Sequence, residues 1–266
     1  MDMQVYSSIK VSVKKLLNID LEHYKDEQMR RRLDSWLVRT GMKDWESYFG
    51  LVSTNPNELL RFRNYLTINV SEFFRDNNRW DALQRSVMPR LLADAQAKRP
   101  PKALKLWSAG CSIGAEPYSL AMMLQEIAPT QEYSILATDL DRGAIDNAKN
   151  RGPYLDNIVQ NMPTFYREKY MEPGGPPYFV KPKVGTRIQF KEHNMLTDTF
   201  DQNFDLIICR NVIIYFTNEA KSLLYRKFQQ ALRPGGILFL GGTEIIPRPQ
   251  EIGFKNLEVS FYIKTE

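Results

Sequence analysis

Four short stretches in the C-terminal two-thirds of this chain carry side chains suited to holding a nucleoside. The first is Gly110-Cys-Ser-Ile-Gly-Ala-Glu116, a glycine turn that ends in an acid. Glycine lets the backbone approach a ligand closely and adopt positive φ. The second is Asp139, an acid able to accept hydrogen bonds from both hydroxyls of a ribose. The third is Asn194-Met195, with an amide for a base edge and a thioether for a base face. The fourth is Cys209-Arg-Asn-Val-Ile-Ile-Tyr-Phe216, in which Asn211 and Val212 follow an apolar run. Each also has a plain structural use: glycines permit tight packing, Asp139 can cap a helix, and Asn211 can close a turn. Their common placement after apolar runs favours a site, because open α/β sheets bind ligands beyond the carboxyl ends of their strands.

The turn discriminates between ligands. A dinucleotide turn of the G-x-G-x-x-G kind receives a pyrophosphate at a helix N-terminus. Here Gly110 and Gly114 stand alone and Glu116 follows. A carboxylate at that point repels pyrophosphate and attracts an ammonium, which tips the reading towards S-adenosylmethionine.

These residues need a scaffold, and the apolar spacing supplies one. Leu104–Ala109, Tyr133–Thr138, Ile188–His193, Leu206–Cys209 and Ile237–Gly241 read as strands, and 257–264 alternates as a terminal strand. Helical spacing follows Glu116 and recurs over 142–150 and 218–232. This rhythm predicts an α/β fold: a doubly wound, Rossmann-like, mostly parallel sheet. Residues 1–97 read as an all-helical domain with helices over 6–17, 21–40, 45–52 and 58–66 and a longer one from about 78 to 97. The break Lys98-Arg-Pro-Pro-Lys102 is expected to open the second domain, 98–266. Residues 152–186, rich in Pro and Gly, are expected to form an inserted antiparallel β-subdomain.

Composition is that of a globular chain, 43% hydrophobic and 25% charged. No apolar run approaches the roughly 18 residues of a membrane span, and no signal-like segment stands at residue 1. The expected setting is cytoplasmic, and no metal is expected from two Cys and two His set far apart. The net charge of +5 is uneven: residues 1–100 hold 17 Lys/Arg against 13 Asp/Glu, the remainder 19 against 18. A basic N-terminal part suits an acidic partner, either nucleic acid or protein. On the helix over 21–40, Lys25, Gln28, Arg32, Ser35 and Arg39 share one stripe, a docking face or a solvated one.

The acceptor is narrowed by what the chain lacks. No Asp/Asn-Pro-Pro-Tyr/Phe motif of amino-methylating nucleic-acid enzymes follows the fourth strand, and neither histidine is placed as a general base. An acceptor already ionised at neutral pH, such as a glutamate carboxylate with a pKa of about 4.3, needs no base.

At these residues the chain closely resembles the chemotaxis receptor protein-glutamate O-methyltransferases, the CheR family. The resemblance rests on Thr67-Ile-Asn-Val-Ser-Glu-Phe-Phe-Arg-Asp76, Trp107–Ser119, Ala137-Thr-Asp-Leu-Asp141, His193-Asn-Met-Leu196, Cys209–Phe216 and Gly241-Gly-Thr-Glu244, and it spans nearly the whole chain. It implies S-adenosylmethionine contacts from Asn69, Ser71, Arg75, Glu116, Asp139, Asn194, Met195, Asn211 and Val212. It makes Arg75 and Tyr215 the candidates for the reaction centre. It implies that Lys25, Arg32 and Arg39 dock the acidic cytoplasmic helices of a methyl-accepting chemotaxis receptor, with the enzyme a monomer. Two departures are visible: Ser71 replaces a frequent Thr, and Ala115 replaces the first of two acids, leaving Glu116. The alternatives are a nucleic-acid methyltransferase and a non-catalytic adaptor that binds S-adenosylmethionine.

Overall fold

Alternating strands and helices from residue 104 onward build one sheet in the computed structural model, which describes residues 1–67 and 70–265. Its strands are β1 (Leu104–Ala109), β2 (Tyr133–Asp139), β3 (Ile188–Glu192), β4 (Phe204–Cys209), β5 (Leu232–Leu240), β6 (Phe254–Glu258) and β7 (Phe261–Lys264). They lie in the order β3-β2-β1-β4-β5-β7-β6. The first five run parallel, and β7 and β6 return antiparallel. Strand order reverses between β1 and β4, the switch point where such sheets open a crevice. Central β4 is buried throughout, as a strand covered on both faces must be.

Two compact units emerge. One holds residues 1–68 together with 212–223; the other holds 69–211 and 224–266. In the first, α1 (Met3–Leu17), α2 (Asp26–Thr40), α3 (Trp45–Thr54) and α4 (Pro56–Leu66) bury Ile9, Val13, Leu33, Trp36, Tyr48 and Phe62. A buried polar chain runs through that core: Trp36 Nε1 donates to the Tyr48 hydroxyl at 2.6 Å, and that hydroxyl donates to Glu58 at 3.1 Å. The second unit adds α5 (Asn77–Ala82), α6 (Met88–Gln96), α7 (Ala115–Ile127), α8 (Arg142–Lys149), α9 (Asp156–Val159) and α10 (Thr164–Tyr170), and α11 (Asn218–Ala231) ends in it.

Four expectations differ from this outcome. The units divide at 68/69 rather than 97/98, because Trp80, Leu83, Val87, Leu91 and Ala95 join the core beneath β1. The long helix there is interrupted by a π turn over Leu83–Val87, just before Pro89 in the first turn of α6. Proline has no N–H to give and its ring crowds the preceding turn, which widening relieves. The helix expected over 21–40 breaks into a 3-10 turn (Leu21–His23) and α2, since Tyr24 is extended and bridges to Phe216. The terminal strand is a hairpin, turned at Ser260 with φ 77°.

The insertion also departs from expectation. In place of an antiparallel β-subdomain, 152–187 holds α9, α10 and a 3-10 turn (Pro182–Arg187), with isolated bridges Tyr154–Tyr178 and Met171–Val180. Pro153, Pro176 and Pro177 flank the first bridge, and without N–H groups they do not extend a ladder. β3 follows directly and pairs with β2 in the main sheet.

At the amino ends of the strands a buried acid gathers the sheet. Asp205, 1% exposed, accepts from Lys105 N at 2.8 Å and Arg233 Nε at 2.5 Å, with Lys102 Nζ at 3.3 Å. Asp205→Ala leaves these donors unmatched and is expected to cost about 3 kcal/mol. Urea unfolding should show that loss as a lower midpoint with an unchanged slope.

Candidate active site

β1 delivers the glycine turn. Gly110 and Gly114 take φ of 85° and 89°, and even Ser112 is left-handed at 48°. A Cβ on Gly114 would stand 2.8 Å from the Cβ of Ala148, so the turn also needs glycine for its approach to α8. The amides of Gly110 and Cys111 both donate to Thr138 O, at 2.8 and 2.9 Å. Ser112 N donates to Asp139 Oδ2 at 2.7 Å, and Gly114 N to Cys111 O at 3.0 Å. A turn whose amides are used inside the protein is poorly equipped to wrap a pyrophosphate, in agreement with the place of Glu116.

Asp139 ends β2 beside that turn. Its second oxygen accepts from Asp141 N at 2.9 Å. Burial pushes its carboxyl up to about 6, although the backbone N–H groups of Asp141 and Ser112 pull the other way. The β2–β3 register pairs Asp139 with Glu192, and His193 N donates to Asp139 O at 2.9 Å, so Asn194 and Met195 follow beside it. Asn194 Oδ1 accepts from Leu196 N at 3.0 Å, and its own N–H donates to Asp198 at 2.9 Å. Its carbonyl oxygen thus shapes the loop that presents Met195, whose carbonyl takes Lys227 Nζ at 2.6 Å.

On the other side of β1 lies a buried polar chain. Ser108 Oγ donates to Glu116 Oε1 at 2.7 Å, and Arg210 Nη1 faces Glu116 Oε2 at 3.7 Å. Burial raises the Glu116 carboxyl above its ordinary range, opposed chiefly by Arg210. Arg210 itself donates to Arg75 O at 2.9 Å and Asp76 at 2.7 Å. Arg75 donates to Val70 O at 2.9 Å, and its charge reaches Glu116. The segment is fixed by Phe73 and Phe74: Phe73 N donates to Ile158 O at 2.9 Å and Phe74 N to Ser119 Oγ at 3.0 Å. Phe74 and Asp76 hold positive φ, 53° and 61°, strain that persists only where surroundings impose it. Ser71 is half-buried at its start, and Asn69 lies outside the described residues.

After β4, Asn211 N and Gly241 N both donate to Glu244 Oε2, at 2.8 and 2.7 Å, which joins the ends of β4 and β5. Spacing had given no role to Arg210 or Glu244, both inside stretches that otherwise drew attention. Val212 and Tyr215 fall in the first unit, where the 3-10 turn Ile213–Tyr215 follows Val212. The cysteines are buried free thiols, raised by burial and therefore poor nucleophiles. His193 is also enclosed, with Nε2 on Thr199 O at 3.1 Å and its ring edge-on to Trp107. Among the described residues no cluster of three or more His, Cys, Asp or Glu is placed to hold a metal.

Within the docking stripe, Arg32 is bonded to the protein itself. Arg32 Nη2 donates to Tyr65 O and to Thr67 O, its guanidinium lies 4.4 Å from the Tyr65 ring, and burial lowers its pKa. Its charge is turned inward, a destination that helical spacing alone does not reveal. Lys25 is half-buried at the N-cap of α2, and Arg39 is exposed.

S-adenosylmethionine fits these residues. Asp139 is half-buried; its two oxygens take the amides of Ser112 and Asp141, and a carboxylate oxygen offers a second lone pair to a ribose hydroxyl. Glu116 is a buried acid whose cation, Arg210, stands at 3.7 Å rather than in close contact. Asp139 would hold the ribose, Met195 the base, and Glu116 the ammonium. Fold and site together define the class of S-adenosylmethionine-dependent methyltransferases.

Comparison with known proteins places the chain within that class. Residues 69–263 match the family model described as CheR methyltransferase, SAM binding domain, and residues 4–67 match the CheR methyltransferase, all-alpha domain. A chemotaxis protein methyltransferase of Listeria monocytogenes is 43% identical, covering 95% of this chain and 94% of its own length. Its namesake in Escherichia coli is 30% identical over 92% of this chain and 83% of its own. The chain belongs to the CheR methyltransferase family.

Asp139 generates a pH test. Its folded-state pKa is raised, so lowering the pH through about 6 protonates it and removes the acceptor that ribose hydroxyls require. Affinity for S-adenosylhomocysteine is expected to weaken as pH falls through that value, approaching about tenfold per pH unit below it. Calorimetry on Asp139→Asn should find weak binding with that step gone.

Proposed function

We propose that this enzyme, an S-adenosylmethionine-dependent methyltransferase, transfers methyl to glutamate side chains on the cytoplasmic helices of a chemoreceptor, giving glutamyl methyl esters and S-adenosylhomocysteine. The observation that carries the acceptor is the enclosure of His193, the histidine of the sheet unit, behind Trp107 and Phe200. Asp139 is held by backbone amides and Glu116 is bonded to Ser108, so neither side chain is arranged as a base. A carboxylate acceptor is ionised before it arrives and gives up no proton. The names of the curated relatives support a role in chemotaxis.

The bound sulfonium supplies an activated methyl group, and the protein supplies alignment and dehydration. Arg75 neutralises a carboxylate, that of the methionyl group or of the incoming glutamate, by charge-assisted hydrogen bonding. Its backbone is set for this by the buried Phe73–Phe74 pair and by Arg210 on its carbonyl. Tyr215 donates one hydrogen bond to an acceptor oxygen, orienting it while leaving a lone pair for attack. Ser71 and Asn69 complete the cofactor contacts with Asn194, Asn211, Val212 and the Gly110 backbone. Docking falls on the exposed Arg39 and on Lys25, with Arg32 behind them, and the working form is a cytoplasmic monomer without metal.

Labelled methyl transfer to receptor-containing membranes tests the reaction. Methanol released by alkali identifies a carboxyl ester; alkali-stable label in nucleic acid, or no turnover, would overturn the assignment. Arg75→Ala is expected to lower kcat/KM about a hundredfold or more, while Arg39→Glu should raise KM for receptor and leave cofactor affinity unchanged in the same assays.

A further inference from the structure

We infer that Tyr24 is a positioning residue for methyl transfer, holding Tyr215 through a backbone bridge and an edge-on ring contact with Phe216. The inference rests on the reading of Tyr215 as the group that orients the acceptor. Tyr215 closes a 3-10 turn of three residues, Ile213–Tyr215, too short to fix a side chain by its own hydrogen bonds. The neighbouring strap supplies the missing rigidity. Lys25 N donates to Tyr215 O at 2.9 Å, and Thr217 N donates to His23 O at 2.9 Å. These two bonds make an antiparallel bridge between Tyr24 and Phe216, both of extended backbone.

The ring contact adds to the backbone bridge. Phe216 is 4% exposed, with its ring centroid 5.0 Å from that of Tyr24 at an interplanar angle of 69°. Anchoring Phe216 on Tyr24 fixes the backbone that carries Tyr215, which stays half-buried. Further along α2, the Arg32 guanidinium is fixed by Tyr65 O and Thr67 O. The bridge also explains the break in the helix expected over 21–40: continuous helix there would use the N–H of Lys25 and the C=O of His23 internally and forfeit it.

The test is a double-mutant cycle in the full-length protein, read as kcat and KM for cofactor and receptor, with thermal melting as a check on folding. Tyr24→Ala is expected to lower kcat about tenfold with both KM values within about twofold, and Tyr24→Phe to restore it. In a Tyr215→Phe background, Tyr24→Ala should add little further loss, since the two act as one unit. Tyr24→Leu, which keeps apolar bulk without the ring, serves if the alanine variant melts early. Full kcat in folded Tyr24→Leu, or a loss that adds fully to that of Tyr215→Phe, would overturn the positioning role. Wild-type turnover of Tyr215→Phe alone would instead remove the Tyr215 reading, a separate failure visible in its own arm of the cycle.

Discussion

A guanidinium shut away from water must find its acceptors inside the protein, and Arg210 does so with 2% of its side chain exposed. Stripping the solvent from such a charge costs several kcal/mol unless neighbours replace it. The replacements come from segments remote in sequence: Glu116 at the first turn of α7, Asp76, and the carbonyl of Arg75. The ring of Phe239 lies 4.8 Å beneath. The same cation therefore keeps a buried acid near the glycine turn and fixes the strained Phe74–Asp76 backbone that carries Arg75. Shifting any one of these groups would leave a charge uncompensated, which makes the arrangement stiff.

The sheet distributes the remaining work. Parallel strands bring the ends of β2, β1 and β4 side by side, and each end contributes an acid or an amide. Asp139 and Glu244 play matching parts: each carboxylate collects two backbone N–H groups and so fixes the loops after two neighbouring strands. The two acids thus build the crevice before they can serve any ligand. This double use explains why an acid at a strand end is hard to classify from its position alone.

The parts of this design written locally were legible. An apolar run, a glycine pair and an acid announce a strand, a turn and a helix in sequence, so Gly110, Glu116 and Asp139 could be placed by reading along the chain. Arg210 and Glu244 could not, because Asp76, Glu116 and Asn211, which they meet, are dozens of residues away and only burial reveals what they do. Arg32 misled for the same reason: spacing assigns it to the Lys25–Arg39 stripe, whereas Tyr65 and two carbonyls draw it inward. Residues 152–187 misled differently. Aromatic and β-branched residues there resemble strands, but prolines confine pairing to isolated bridges and short helices fill the interval. The CheR resemblance reached further than local pattern, since it spans both stretches that match the family models, 4–67 and 69–263.

Residues 212–223 leave β4 and are counted with the N-terminal helices before the chain returns to the sheet unit at 224. The boundary at 68/69 is therefore a seam crossed more than once by the polypeptide. A fragment ending there would leave the Tyr24 edge without Phe216, and the complementary fragment would carry the buried Phe216 without Tyr24. Neither half is a transferable module in the sense of beads on a string. Exchanging the helical part between relatives would require the 212–223 excursion to travel with it.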